Sequence, residues 1–324
     1  MRLLLDPEQR AFAASLDALL TAADTPAVIR SWGRGDPAGG RALWRRVAEA
    51  GVFALAVPEA YAGLGPRPAE VAVAFVELGR HAVPGPLAET VAAAALLSAL
   101  EDPGPAERLL PALAGGAAMA TLAWGPYAVD AEVADVRLGV TADGCLELSP
   151  PPGTPPRPTP DPARRLSPLP PGGEPLARGP RVAEALEQAV RWARLATAAQ
   201  ALGIGLALLD RTVAYVGRRT QFGVPVGSFQ AVKHRLADAR IALEFARPLV
   251  LGAALTLEPG EVAAAKAAAC DAAYTAARAA LQSHGAIGYT AEYDLSLWLT
   301  RAHALRTAWG SPHACRRAVL DARA

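Results

Sequence analysis

Three short segments in the last third of the chain hold residues whose types and spacing can do chemistry: Arg219-Thr-Gln-Phe222-Gly223, then Phe229-Gln230, then Gln282-Ser-His-Gly285-Ala286-Ile-Gly288-Tyr-Thr-Ala-Glu292-Tyr. A guanidinium such as that of Arg219 is a permanently charged planar fork that matches a pair of anionic oxygens, for example on a pyrophosphate. Gln230 and Gln282 can each donate and accept. Gly285 and Gly288, with Ala286 between them, let backbone amides approach such a group closely. Phe222 offers a ring to cover an aromatic face. Glu292 is a carboxylate that can take a proton from carbon, best when burial lifts its pKa toward neutrality. Each residue also has a plainer role open to it. Arg219 closes an Arg-Arg pair at a helix end, where cations complement the dipole. The glycines can end a helix, Phe222 can be core, and Glu292 can be a solvated loop carboxylate.

Helices must carry these segments. Apolar periodicity predicts a long helix from Arg181 to Arg218, a loop at 223–227, a helix from Ser228 to about Leu257 with Pro248 as a possible kink, a third from Glu261 to His284 and a fourth from Asp294 to about Ala308. Four helices with short connections make a bundle. The first part of the chain also reads as helical. Asp6 with Gln9 three residues on is a capping-box signature for a helix through Leu20. Helical pattern covers Gly40–Ala50, resumes at Ala69–His81, breaks at Pro84-Gly-Pro86 and continues to Leu100, with a Pro- and Gly-punctuated loop around Pro58–Pro66. Between these parts, MATLAW and VADVRLGV are strand-like, and Ser149–Pro180 is too rich in proline for a central strand.

The bulk numbers exclude several classes. With 324 residues there is material for about two domains, and 52% hydrophobic against 19% charged residues supports a large core. Thirty-two basic against 31 acidic residues, a net charge of +1, give no footprint for nucleic acid. Cys145, Cys270 and Cys315 have no metal-ligand spacing, so no metal is expected, and an odd count suits a reducing compartment. Apolar stretches such as Val91–Leu100 fall short of the about 20 residues a membrane span needs, and the N-terminus lacks a signal-peptide pattern; a cytoplasmic location without membrane contact is expected.

The three motifs, in this order and on this helical background, resemble the C-terminal signature of acyl-CoA dehydrogenases. The run LWRRVAEAGVFALAVPEAYAGLG is similar to the same family's helical first domain. The resemblance implies a mainly α fold: an N-terminal helical domain (1–115), a reduced β-containing middle domain (116–180) and a C-terminal four-helix bundle (181–324). It implies FAD as cofactor, an acyl-CoA thioester as substrate, α,β-desaturation as reaction and an electron-accepting flavoprotein as partner. It assigns Arg219, Phe222, Gln230, Gln282, Gly285 and Ala286 to the adenosine-diphosphate half of a neighbouring subunit's FAD. Glu292 falls on the position of the family's base, which takes the α-proton as hydride leaves the β-carbon. The alternative position for that base, on the first bundle helix, is Ala193 here.

The resemblance breaks in three places. The family's flavin-lining Thr-Glu-Pro…Gly-Ser-Asp loop is replaced by ATLAWGPYAVDAEVAD in a compressed middle domain, although DPARRL (161–166) still resembles a family segment. The second glycine of the family's pair is Ala286. The family's Glu-Gly-Thr-Ser-Gln-like segment reads Trp309-Gly-Ser-Pro-His313, in which Pro312 lacks an amide donor. What is lost would enclose a flavin ring; what is retained would hold a neighbour's cofactor. That asymmetry resembles the short subunits of heterotetrameric (α2β2) acyl-CoA dehydrogenases of steroid side-chain degradation, partnered with a longer subunit. A self-sufficient enzyme with Glu292 as base and a flavin-free scaffold are the competing expectations.

Overall fold

The computed structural model describes residues 4–322; Met1–Leu3 and Arg323–Ala324, which the expected N- and C-terminal domains include, lie outside the described residues. Six helices come first: α1 (Pro7–Thr21), α2 (Thr25–Gly33), α3 (Ala38–Glu49), α4 (Pro68–Arg80), α5 (Leu87–Ser98) and α6 (Gly104–Ala114). The expected capping box is present. Gln9 N donates to Asp6 Oδ1 at 2.8 Å and Asp6 N to Gln9 Oε1 at 3.2 Å, satisfying two otherwise orphaned donors of α1. α2 and α6 had no counterpart in the sequence pattern; both begin with proline at the first or second position, where the missing N–H does no harm.

The middle of the chain carries short strands: β1 (Ala120–Leu122), β2 (Ala128–Val129), β3 (Val136–Val140), β4 (Cys145–Leu148), β5 (Leu166–Ser167) and β6 (Glu174–Arg178). They form a four-stranded sheet in the order β1-β3-β4-β6, with β1 parallel to β3 and the other pairs antiparallel, plus the separate β2–β5 pair. The proline-rich segment does supply β6, but at the sheet edge, where Pro175 leaves no central ladder bond unmade. Thr90 on α5 clamps β1: its hydroxyl donates to Ala120 O at 2.9 Å and accepts from Ala120 N at 3.1 Å.

The remainder is α7 (Pro180–Arg218), the strands β7 (Thr220–Gln221) and β8 (Val224–Pro225), then α8 (Gln230–Thr256), α9 (Pro259–His284), α10 (Leu295–Thr307) and α11 (Pro312–Asp321). One expectation is corrected: the loop at 223–227 is part of a β-hairpin. The four bundle helices are present, and a further helix, α11, packs on α9. Pro312, read as a lost donor, is the first residue of α11, and Ser311 caps that helix by accepting from Ala314 N at 3.2 Å. α7 is long and apolar enough to cross a membrane, but 94% of its apolar window is buried inside the protein. It packs against α4, α5, α8, α9 and α10. Its crossing with α4 requires glycine on both sides: a Cβ on Gly203 would meet Val76 O at 1.9 Å, and one on Gly79 would meet Gln200 O at 2.1 Å. All three cysteines are free and buried, and burial pushes the Cys270 thiol up to about 11.

The three parts meet at a buried ion pair. Arg301 on α10 donates from Nε to Asp161 in the middle segment and from Nη1 to Val83 O, at 2.9 Å, between α4 and α5. Both side chains are almost fully buried. Replacing Arg301 by Leu leaves Asp161 as an unpaired buried charge, so the unfolding free energy in a denaturant titration is expected to fall by about 3–5 kcal/mol. Adding Asp161→Leu should return most of that loss, because the stranded charge goes with it.

Asp130 is also fully buried, and burial pushes its carboxyl up to about 7 despite the nearby Arg165. A carboxyl whose pKa is raised in the folded state binds more protons folded than unfolded. Its contribution is therefore whole below its unfolded value near 3.8 and is lost as pH rises to about 7. Asp130→Asn mimics the protonated form. Its melting temperature is expected to match the parent protein's at pH 3.5 and to exceed it at pH 8.

Candidate functional site

α7 ends at Arg218, and Arg219 turns into extended backbone (φ −72°, ψ 120°) to open the hairpin. β7 and β8 pair antiparallel, with Phe222 and Gly223 at the tip, both in the left-handed region (φ 52° and 79°). Two such residues make a tight turn matched to strand twist, but a phenylalanine there is strained by about 1–2 kcal/mol. Phe222 is 92% exposed, and its nearest aromatic neighbour is Phe229, edge-on at 6.3 Å. A large apolar ring held in water at the tip of a strained turn, with one edge contact to Phe229, contributes little to its own chain. Val226 N closes the hairpin onto Arg219 O at 2.8 Å. Gln230 begins α8 and is exposed.

The second segment closes α9. Gln282 is exposed on its last turn, and Gly285 caps the helix with φ 67°. A Cβ on Gly285 would meet nothing within 4 Å, so its backbone faces open space. Gly288 differs: it is buried, and a Cβ there would press on His284 Cβ at 3.1 Å, so its small size serves the turn's own packing. Ala286 is exposed. His284 is buried and stacks on Tyr215 of α7 (centroids 4.0 Å apart, planes 22° apart). Burial holds its imidazole below the ordinary histidine pKa. Arg219 Nη1 donates to Tyr215 Oη at 2.9 Å, so both segments converge on one end of the bundle.

Glu292 lies just beyond and is exposed. Arg30 of α2 fixes the surrounding turn by pairing with Asp294 at 2.6 Å and reaching Ala291 O and Glu292 O at 3.4 and 3.5 Å. The burial that would tune a carboxylate for proton abstraction is not present at this position.

The substituted segments converge elsewhere. Trp124 and Tyr127, from ATLAWGPYAVDAEVAD, and Trp309, after α10, line one cavity of about 300 Å³ with Glu89, Arg164 and His303. The two indoles pack with centroids 5.5 Å apart. Trp309 is buried in a left-handed conformation (φ 56°), and its Nε1 donates to Glu89 Oε1 at 3.3 Å. Arg164 approaches the same Glu89 oxygen at 3.3 Å. Two cations hold the turn in place: Arg194 Nε donates to Trp309 O at 3.1 Å, and the fully buried Lys266 reaches Arg306 O at 3.0 Å and Gly310 O. Trp124 and Trp309 come from the two segments that depart from the family pattern, and the cavity they line is walled by their indoles and by the Glu89–Arg164 pair. The outward hairpin, with its exposed guanidinium and the open Gly285 turn, does fit one end of a dinucleotide presented from outside. Sequence reasoning missed Glu89, Arg164, Tyr215 and the role of Trp309; the only signal was that DPARRL places three charges in an otherwise apolar region.

Comparison with known proteins agrees with this architecture. Residues 6–117 match the acyl-CoA dehydrogenase N-terminal domain and residues 182–322 the acyl-CoA dehydrogenase C-terminal domain. Acyl-CoA dehydrogenase IpdE2 of Mycobacterium tuberculosis is 37% identical over 302 residues, covering 92% of each chain. IpdE2 of Mycolicibacterium smegmatis is 34% identical over 273 residues, covering 83% of this chain and 84% of the relative. Among solved structures, a chain of the ChsE4-ChsE5 complex from Mycobacterium tuberculosis superposes with a TM-score of 0.83 at 23% identity, over 99% of this chain and 98% of that one. The chain belongs to the acyl-CoA dehydrogenase family, whose cofactor is FAD.

Because Phe222 contacts so little of its own chain, Phe222→Ala is expected to change the unfolding free energy of the isolated chain by less than about 0.5 kcal/mol in a denaturant titration.

Proposed function

We propose that this chain is the short subunit of a hetero-oligomeric, FAD-dependent acyl-CoA dehydrogenase, an α2β2 heterotetramer in which it holds the adenosine-diphosphate end of FAD bound by a longer subunit. One observation carries the reading: the two segments that depart from the family meet at one cavity, lined by Trp124 and Trp309, while the retained Arg219 and Gly285 face outward. FAD supplies the two-electron oxidation that desaturates the acyl thioester. Here Arg219 pairs with diphosphate oxygens, Phe222 shields the nucleotide from water, and Gln282, Gln230 and the amides near Gly285 and Ala286 bind its polar edges. The longer subunit supplies the ring site and the base, and Glu292 is not used. The names of similar proteins support the partnership and suggest a steroid side-chain thioester: one is a two-component ChsE4-ChsE5 complex and another a "steroid ACAD". An electron-transferring flavoprotein is the expected acceptor.

The chain purified alone should be colourless, and the assembly pulled from native cells through a tag on this chain should be yellow and contain a second, longer acyl-CoA dehydrogenase chain. Arg219→Ala in that assembly should weaken FAD binding about 10-fold or more, the scale of a lost charge-assisted hydrogen bond. A homo-oligomer of this chain that is loaded with FAD, turns over acyl-CoA and is silenced by Glu292→Gln would establish the self-sufficient reading instead.

A further inference from the structure

An arginine at the mouth of a hairpin has four rotatable bonds and, exposed, no reason to keep one geometry; immobilising such a side chain costs about 2 kcal/mol. Arg219 is nevertheless tied down. Its Nη1 donates to the Tyr215 hydroxyl at 2.9 Å, and its guanidinium carbon lies 5.8 Å from the Tyr215 ring centroid. Tyr215 sits one helical turn before Arg219 and is itself fixed by stacking on His284, 4.0 Å between centroids. His284 is 4% exposed, donates from Nδ1 to Ala280 O at 2.8 Å, and lies against Tyr293 at 5.7 Å. It is also the residue immediately before Gly285. A continuous path of one charge-assisted hydrogen bond and one aromatic stack therefore runs from the hairpin, across the end of α7, to the glycine turn that closes α9.

We propose that Tyr215 and His284 are positioning residues that hold the Arg219 guanidinium and the Gly285 turn in one register, so that both reach the same diphosphate of the neighbour's cofactor. The inference rests on the function proposed above. A plain packing role explains the stack but not the hydroxyl. Tyr215 is only half-buried, so water would satisfy its oxygen equally well, and the bond to Arg219 matters chiefly for where the cation points.

The test uses the native assembly stripped of FAD and titrated with FAD by quenching of flavin fluorescence. Tyr215→Phe keeps the ring and the stack and removes only the acceptor. It should weaken FAD binding about 3- to 10-fold and leave the melting temperature of the flavin-free assembly unchanged. His284→Ala removes the stack and should weaken binding at least as much, whereas His284→Phe keeps an aromatic face and should restore most of it. In an Arg219→Ala background, Tyr215→Phe should cost less than about 2-fold further, because residues that act through one another are non-additive. Full additivity in that background, or unchanged FAD affinity in Tyr215→Phe, overturns the proposal while leaving the shared-site reading intact. Unchanged affinity in Arg219→Ala alone overturns both. Loss of affinity that only tracks a fall in flavin-free melting temperature assigns the stack to packing and also overturns it.

Discussion

The buried pair between Arg301 and Asp161 is the contact on which the arrangement of the three parts depends. It joins α10 to the segment after the small sheet, and through Val83 O it reaches the turn between α4 and α5. Two charges brought out of water gain little net stability relative to an apolar pair of the same shape. Their effect is geometric. Neither charge is neutralised unless α10 and the middle segment meet, and Arg301 Nη1 finds its acceptor only when the turn between α4 and α5 joins them, so misdocked arrangements leave a charge or a donor stranded. The neighbouring residues repeat the device: Arg164 approaches Glu89, and Arg165 pairs with Glu132 at 2.7 Å. DPARRL thus presents two charges, Asp161 and Arg164, to helices on either side, while Arg165 pairs with Asp130 and Glu132 inside the middle segment.

That arrangement shapes the cavity. Once Arg164 and Trp309 share Glu89, the end of α10 is drawn toward the sheet, and Trp124 closes on Trp309 from the other side. Lys266 and Arg194 occupy the carbonyls of the turn that follows, where the helix end would otherwise present unpaired acceptors. The strained Phe222 turn and the open Gly285 turn lie elsewhere, at the hairpin and the end of α9, where the proposed function puts the contacts to the cofactor.

Much of this was legible in the sequence, and the exceptions have physical causes. The long helices follow from apolar periodicity, and the α1 cap from Asp6 and Gln9, because both signals are local. α2 and α11 hid behind prolines that look like breakers but occupy the first turn. The hairpin was hidden because its turn places phenylalanine, not asparagine or aspartate, before Gly223 in the left-handed region, and no propensity anticipates that. The sequence marks the motif residues one by one, but not their mutual placement. Tyr215 and His284, or Asp161 and Arg301, are joined only by the fold, and no repeat or spacing links them.

The same distinction bears on Glu292. Its position in the motif marks it as a base, yet motif position specifies only where the backbone passes. A general base also needs desolvation, and here Arg30 engages the turn's carbonyls while the carboxylate stays at the surface. Arg219 has the opposite requirement. A guanidinium stays charged wherever it lies, so exposure costs it nothing, and what it needs is a fixed direction. In the chain by itself the cation is held in one direction by Tyr215, whereas the Glu292 carboxylate is exposed. This difference favours a chain that binds a cofactor's phosphates over one that performs proton abstraction.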